Sequence, residues 1–469
     1  MKIKKNKAFF TSKLLIKIGA VADAGGIDAY AVGGYVRDLY LQRNSADIDI
    51  VVVGDGPAFA EEVASSLRTT QYTLFKSFGT AMIKHRGKTI EIVGARRESY
   101  RGHSRKPDVT NADLATDLAR RDFTINAMAL GLNEARYGAL VDPFNGMADL
   151  EAGIIRTPLP PHQTFFDDPL RILRAIRFAA QLKFTIAAPT LQALHDERER
   201  LTIISQERIT DELSKIMGSE KPSIGFKLLD ETGVLALILP EIAALKGVDQ
   251  IAGYRHKDVF EHTLKVLDNV ARKSGRLELR WAALFHDVAK PQTKEFKKGV
   301  GWTFHGHEEI GARMMTGIGK RLRLSQDTIA YIQKLIRLHL RPIHLAEEGV
   351  TASAIRRLIF QGGMELDDLI ILCRADITSG NPGRVAKHLG NFDIVVQRME
   401  EVEEKDRLRQ FQPPVRGEEI MTTLNLQPGP LVGKIKKAIE EAILNGEIAN
   451  EHDAAFDYMM RIKTELLSD

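Results

Sequence analysis

The sequence predicts an α+β protein: a small mixed sheet flanked by helices at the start, then helices for the rest of the chain. Three observations carry this reading. Between residues 29 and 93, short apolar runs alternate with glycine turns, as strands do. From about residue 151 the apolar residues recur at three and four, the spacing of helices buried on one side. Around Gly253 a second helical stretch begins, and it is rich in histidine. A chain of 469 residues has room for several domains. The breaks divide it into residues 1–150, 151–245, 246–400 and 401–469.

Composition sets the class. With 44% hydrophobic and 27% charged residues, this is an ordinary globular chain. A net charge of +4 is mildly basic and compatible with an anionic partner. The single cysteine, Cys373, excludes an internal disulfide and fits a reducing cytoplasm. Lys13, Lys17 and Asp23 interrupt the segment after the basic start, so no secretory apolar stretch forms. No run of 18 apolar residues occurs, so no membrane span is expected.

In chain order, Leu14, Leu15, Ile18, Val21 and Ala22 predict a packing helix over residues 12–24. Ala29–Val32 reads as a strand ending at Gly33-Gly34, a pair that lets the backbone turn tightly and approach a ligand closely. A helix follows from about Tyr35. Its unpaired first-turn N–H groups suit a phosphate, and Arg37 in that turn can fork onto phosphate oxygens. The next strand opens on Asp47-Ile48-Asp49. Residues two apart share a strand face, so both carboxylates project together. Side by side they repel unless a cation sits between them, and magnesium takes such oxygen ligands. Pro57–Leu67 reads as a helix, and Phe78–Lys84 with Thr89–Val93 as a hairpin whose Glu91 faces away from its apolar neighbours. Arg96–Pro107 is basic and punctuated by glycine and proline, and reads as a loop.

A double glycine alone marks a turn, and a lone D-x-D a solvated surface. Here GG-x-x-R-D is followed nine residues later by D-x-D at a strand start. This joint pattern resembles the head of the DNA polymerase beta-like nucleotidyltransferases. More closely, it is similar to the tRNA nucleotidyltransferase (CCA-adding enzyme) and bacterial poly(A) polymerase family. LARRDFTINAMAL at Leu118–Leu130 and DPFNGMADL at Asp142–Leu150 match further motifs of that family. The resemblance implies magnesium on Asp47 and Asp49, and Glu91 as a third carboxylate acting on the attacking hydroxyl. It also implies Gly33, Gly34 and Arg37 at the nucleotide, Arg121 on the triphosphate, Asn126 bracing the site, and a structural turn at Asp142–Leu150.

Within 151–245, Asp167–Phe184 carries Asp168, Arg171, Arg174 and Arg177 three residues apart, with Leu170, Leu173, Ile176 and Ala180 as a separate apolar stripe. Taken alone this is an amphipathic helix with a basic side. Its start resembles the family's E-D-x-x-R motif, with Asp167 in the glutamate place. The resemblance implies that Asp168 and Arg171 read the incoming base, and that Arg174 and Arg177 hold the triphosphate or support Arg171. A carboxylate accepts from the exocyclic amine that cytosine and adenine share, and a guanidinium donates to ring acceptors. Arg208 and Glu212, one turn apart, are expected to pair and support this neck.

From residue 246 onward, His262, His286-Asp287 and Asp376 follow an H…HD…D order that resembles the HD domain of metal-dependent phosphohydrolases. His256, His305, His307 and His339 lie nearby in sequence. The resemblance implies one divalent ion on His262, His286, Asp287 and Asp376, with His307 and His339 available to a second. Two readings stand for this module: hydrolysis of phosphate esters at tRNA ends, or a helical body that binds metal or RNA without turnover. In the tail, Gly429–Lys437 is either an RNA-backbone clamp or part of a packed terminal helix.

The expected protein is thus a small mixed-sheet nucleotidyltransferase head, an all-α neck and a helical HD body with a C-terminal tail, acting on tRNA with CTP and ATP. It would add CMP and AMP to the 3′ end and release pyrophosphate. Bacterial poly(A) polymerases typically carry a basic, aromatic G-R-R-F insertion before the strand of the third carboxylate, and FGTAMIKHRGKTIEIV lacks it. Poly(A) synthesis, A-only addition and an HD phosphohydrolase with an RNA-binding head remain the alternatives.

Overall fold

Strand β1 (Ala29–Val32) is buried along its whole length because it lies inside a sheet, with neighbours on both edges. The computed structural model describes residues 9, 11–75, 79–99, 108–247, 250–251, 254–255, 258–297, 301–348, 351–378, 381–406 and 414–466. The chain forms two compact units, Met1–Leu239 and Pro240–Asp469.

In the first unit, β1 joins β2 (Asp47–Val52), β3 (Tyr72–Phe75), β4 (Thr80–His85), β5 (Lys88–Gly94), β8 (Ala129–Gly131) and β9 (Leu140–Val141) in the order β3-β4-β5-β2-β1-β8-β9. Within this sheet β2 and β5 run parallel and the other pairs are antiparallel. Ile48, Ile50, Ile90 and Ile92 fill one face of the two central strands and are fully buried. Helix α1 (Lys13–Ala24), capped by Ser12, packs on helix α3 (Gly56–Leu67), and α3 covers β4 and β5. Between them in sequence, helix α2 (Gly34–Tyr40) starts at the glycine pair. The segment read as a loop from Arg96 differs. Arg96–Ser99 (β6) pairs with Asp108–Asn111 (β7) as a two-stranded ribbon, and residues 100–107 lie outside the described residues. Arg96 and Glu98 hid this strand because charged residues interrupt any apolar alternation.

The neck belongs to the same unit. Helix α4 (Leu170–Leu182) packs on α5 (Gln206–Met217) and α6 (Ser223–Glu231), burying Leu170, Leu173, Ile176 and Ala180 as the spacing predicted. A parallel pair, Ile154–Ile155 with Thr185–Ile186, adds a strand contact to an otherwise helical neck; two residues are too few to leave a periodic signal. The turn at Asp142 is structural, since its carboxylate accepts from the N–H groups of Gly146 (2.7 Å) and Met147 (2.9 Å).

The second unit is a helical bundle. Helices α7 (Val259–Lys273), α8 (Leu277–Phe285), α9 (His307–Arg321), α10 (Gln326–Leu338) and α11 (Leu366–Asp376) surround Trp281, Phe285, Leu335 and Leu372. In the tail, Gly429 precedes a helix running Pro430–Asn445, with Ile435 and Ile439 fully buried. That places part of the 429–437 segment in a packed helix. Among the described residues no helix is long and apolar enough to cross a membrane.

Helix α3 approaches β5 closely only because both contact residues lack a Cβ. A Cβ on Gly56 would meet the Gly94 nitrogen at 2.5 Å and the Val93 carbonyl carbon at 2.8 Å. Main chain cannot rotate away as a side chain can. Gly56→Ala is therefore expected to destabilise the first unit by about 1–3 kcal/mol, read as a lower denaturant midpoint. An unchanged midpoint would mean that helix and strand are free to separate there.

Candidate nucleotidyl-transfer cleft and histidine centre

Parallel pairing of β2 and β5 sets Asp49 opposite Glu91. Asp47, two residues back on β2, shares that face, so three carboxylates point the same way. They open into a cleft of about 980 Å³ together with Gly33, Gly34, Arg37, Arg121, Asn126, Asp168, Arg171, Arg174 and Arg177. Every residue expected at the nucleotide or at the transfer chemistry therefore lines one cavity.

Gly33 has φ of +71°, and a Cβ there would strike Arg121 Nη1 at 2.9 Å and Asp49 Oδ2 at 3.3 Å. The glycine is needed both for the turn and for the space beside the carboxylates. Burial, with Asp47 beside it, pushes the Asp49 carboxyl up against the pull of Arg121. Burial and the neighbouring Asp49 likewise raise Glu91. The trio thus gathers negative charge that the nearby arginines only partly offset. Its all-oxygen donor set fits a hard divalent ion such as magnesium.

The arginines are arranged less freely than a run of basic residues suggests. Arg37 forks onto Asp38 through Nε and Nη2 (both 2.9 Å) and donates through Nη1 to Asn126 Oδ1 (2.8 Å). It therefore borders the cleft already paired, not as an open phosphate fork. Arg171 donates to the carbonyls of Arg120 (2.7 Å) and Thr164 (3.4 Å), which orients its plane and leaves further N–H donors. Arg174 clamps Asp122 through Nε (2.8 Å) and Nη2 (2.6 Å), and Arg177 pairs with Glu212 (3.0 Å). Of the two expectations for Arg174 and Arg177, these contacts favour support over phosphate holding. Glu212 meets Arg177 and Lys215, so the expected Arg208–Glu212 pair is replaced; burial of Glu212 puts it beside the equally buried Arg177. Among the described residues Arg208 makes no ion pair, and it too lines the cleft. Arg121 donates to the fully buried Asp117 (3.1 Å), which also takes Arg120 (2.6 Å).

Sequence reasoning missed two members. Asp122 is the hub: it accepts from Asn126 Nδ2 (3.0 Å) and Arg174, so Asn126 links it to Arg37. Its place in the R-R-D triplet was the available signal. Phe178 lies beneath three guanidinium groups, 4.4 Å from Arg177, 4.9 Å from Arg37 and 5.6 Å from Arg174. Its ring face is a favourable surface for crowded cations. Eight arginines against five carboxylates leave the cleft suited to an anion.

In the second unit the histidines converge. His262, His286 and Asp376 form one donor group, and Asp287, His307 and His339 another. The expected set of His262, His286, Asp287 and Asp376 also comes together, since Asp287 Oδ2 lies 3.5 Å from His262 Nε2 as well. Asp287 in fact spans both: Oδ2 lies 3.2 Å from His286 Nε2, and Oδ1 lies 3.3 Å from His307 Nε2. The Nδ1 atoms of His286, His307 and His339 meet the carbonyls of Ala283 (2.9 Å), Phe304 (2.8 Å) and Ile336 (2.6 Å), and that of His262 meets the Thr378 hydroxyl (2.8 Å). All four Nε2 atoms thus turn inward, the arrangement that holds a metal-binding imidazole in one tautomer. Burial opposes charge on His286, but Asp287 and Asp376 outweigh it and push its pKa up to about 10. Burial, with His286 beside it, takes His339 down to about 4. The donors fit one or two divalent ions. His305 is exposed outside both groups, and His256 lies outside the described residues.

Three segments of the chain match known domain families. Residues 29–156 match the Poly A polymerase head domain, 183–246 the probable RNA and SrmB-binding site of polymerase A, and 259–381 the HD domain. The CC-adding tRNA nucleotidyltransferase of Thermus thermophilus is 32% identical over 439 residues, covering 91% of this chain and 92% of that one. The chain belongs to the tRNA nucleotidyltransferase and poly(A) polymerase family. The A-adding tRNA nucleotidyltransferase of Deinococcus radiodurans is 34% identical over 351 residues, 73% of this chain and 78% of that one. Among solved structures, the Bacillus stearothermophilus CCA-adding enzyme in complex with CTP is 26% identical, with a TM-score of 0.67, covering 97% of this chain and 98% of that one. This tRNA nucleotidyltransferase thus has relatives that differ in which nucleotides they add.

The hub has a measurable signature. Burial alone would raise the Asp122 carboxyl, yet Arg174 and Asn126 hold it down at about 2, against an ordinary value of 3.8. A carboxyl lowered on folding stabilises the fold above its unfolded pKa and loses that contribution as pH falls through the folded one. Between about pH 4 and pH 2 the native protein should lose about 2 kcal/mol that Asp122→Asn does not lose. Parallel stability–pH curves for the two proteins would remove the ion pair from this account.

Proposed function

We propose that the chain is a cytoplasmic, template-independent CCA-adding enzyme, which moves CMP and then AMP from CTP and ATP to a tRNA 3′ end. One observation carries the reading: the Asp47–Asp49–Glu91 trio and the base-reading pair Asp168 and Arg171 line the same cleft. A single site can then accept both nucleotides, since an Asp168 oxygen can accept from the exocyclic amine of either base.

The division of labour follows from position. Magnesium held by Asp47 and Asp49 would supply Lewis-acid stabilisation of the reacting oxygens. Glu91, its carboxyl raised by burial, would accept the proton of the RNA 3′-hydroxyl. The 3′-oxygen bonds to the α-phosphorus, the bond to the bridging oxygen breaks, and pyrophosphate leaves. Arg121, lying against Gly33 and beside Asp49, would contact the triphosphate, and Arg208 is a further cation whose side chain has no ion-pair partner among the described residues. Asn126, Asp122 and Arg174 hold one another and Arg37 at the cleft wall, and most of the rate would come from positioning and charge stabilisation. The finer division into head, neck, HD body and tail at 150, 245 and 400 belongs to the same proposal.

The inward-facing histidine nitrogens support a second activity. A divalent ion on His262, His286 and Asp376, with a second on Asp287, His307 and His339, would activate water toward a phosphate ester. The water oxygen then bonds to phosphorus, the ester oxygen leaves, and the proton passes from water to that oxygen.

Labelled CTP and ATP offered to tRNA transcripts lacking CCA test the first reading. Incorporation ending at three residues is expected. Long A-tails, A alone, or CC alone would each replace it with a different specificity. Asp49→Ala should lower incorporation at least a thousandfold while leaving thermal unfolding in place, and wild-type rates in that variant would refute the carboxylate assignment. For the second activity, His286→Ala should abolish metal-stimulated phosphatase turnover and leave nucleotide addition intact.

A further inference from the structure

Beside the histidine centre the chain builds a small antiparallel strand pair, Glu295–Lys297 with Gly301–Thr303, that neither proposed reaction uses. Its side chains are unusual for a structural ribbon. Phe296 is 55% exposed, although it stands opposite Trp302 with ring centroids 5.2 Å apart and edge to face. The Lys294 ammonium lies 4.2 Å from the centre of the Trp302 ring. Trp302 Nε1 is shielded from solvent without a hydrogen-bond partner.

The same pairing of ring and ammonium recurs one step nearer the centre. Lys290 Nζ lies 5.6 Å from the Phe304 ring and 2.7 Å from Asp287 Oδ2. The Phe304 carbonyl in turn holds His307 Nδ1 at 2.8 Å. Two ring–ammonium pairs, Trp302 with Lys294 and Phe304 with Lys290, therefore lie on the stretch of chain between an exposed phenylalanine and a carboxylate shared by both donor groups. A ring left 55% exposed adds little to the apolar burial that holds the ribbon together. A strip that leaves the ring open and lines the route with lysines suits a chain of stacked bases joined by phosphates.

We propose that Phe296, Trp302, Lys294 and Lys290 form a nucleotide-docking strip that brings a base-bearing phosphate ester to the histidine centre, and that its natural occupant is a single-stranded RNA end carrying a terminal phosphate. This rests on the phosphohydrolase reading of that centre. Phe296 offers its open face to the base, and Lys294 and Lys290 face the phosphates.

Tryptophan fluorescence of the full chain tests the strip without any turnover. The chain has two tryptophans; Trp281 is buried and stacked on Phe285, and Trp302 is on the strip. Adenosine 3′-phosphate, and more tightly a short single-stranded RNA ending in a 3′-phosphate, should quench the emission. Ribose 5-phosphate should not, and Trp302→Phe should remove the response. Phe296→Ala should weaken binding about tenfold while nucleotide addition to tRNA stays at the wild-type rate. No quenching, or equal affinity in Phe296→Ala, overturns the strip; equal affinity for the mononucleotide and the RNA overturns the RNA end as its occupant. With manganese added, Phe296→Ala should raise KM about tenfold for the base-bearing ester, leave kcat unchanged, and leave p-nitrophenyl phosphate hydrolysis unaffected. Quenching without hydrolysis of either ester overturns the phosphohydrolase reading and keeps the strip. Hydrolysis of both with no effect of Phe296→Ala overturns the strip and keeps that reading.

Discussion

Three carboxylates on one face of a sheet repel one another, and the first unit is organised around holding them there. The parallel register of β2 and β5 imposes the proximity: once Asp49 stands opposite Glu91, alternation along β2 brings Asp47 to the same side. The apolar partners Ile48, Ile50, Ile90 and Ile92 occupy the other face, and their burial opposes any slip of register. A one-residue slip would turn those isoleucines outward and the acids into the core. Hydrophobic burial thus maintains an electrostatic arrangement that is unfavourable by itself and that a bound cation would relieve.

The arginines answer that charge at a distance. Instead of standing free, Arg37, Arg174 and Arg177 are held by Asp38, Asp122 and Glu212, with Phe178 beneath them. Guanidinium groups fixed in this way keep positive charge beside the cleft without moving, and so favour an anion there through their field rather than by direct contact. The same contacts join the neck helix to the head, since Asp122 lies in the R-R-D triplet and Arg174 on α4. The helix that starts beside the proposed base-reading residues is thereby tied to the sheet that carries the three carboxylates.

The histidine centre solves a related problem by other means. Its carboxylates and imidazoles come from α7, the end of α8, the start of α9, the end of α10 and the end of α11, so five helix positions must meet. Backbone carbonyls set three of the four imidazole orientations, which makes the donor geometry a property of the helices themselves. Asp287, reaching both donor groups, couples them.

Much of the site was legible in the linear chain. The double glycine, the D-x-D step, the R-R-D triplet and the H…HD…D order are local patterns, and local backbone rules assign their shape. The strand Arg96–Ser99 and the pair Ile154–Ile155 escaped because strand pairing is a contact between distant segments. The partners of the arginines escaped for the same reason. Helical spacing located Arg174 and Arg177 on a basic side, but Asp122 and Glu212 lie 52 and 35 residues away. Residue order by itself therefore determined which groups exist and which local turns carry them. Tertiary structure decided which charges neutralise one another and which remain for a ligand, because Coulombic pairing depends on distance and burial in space rather than on separation along the chain.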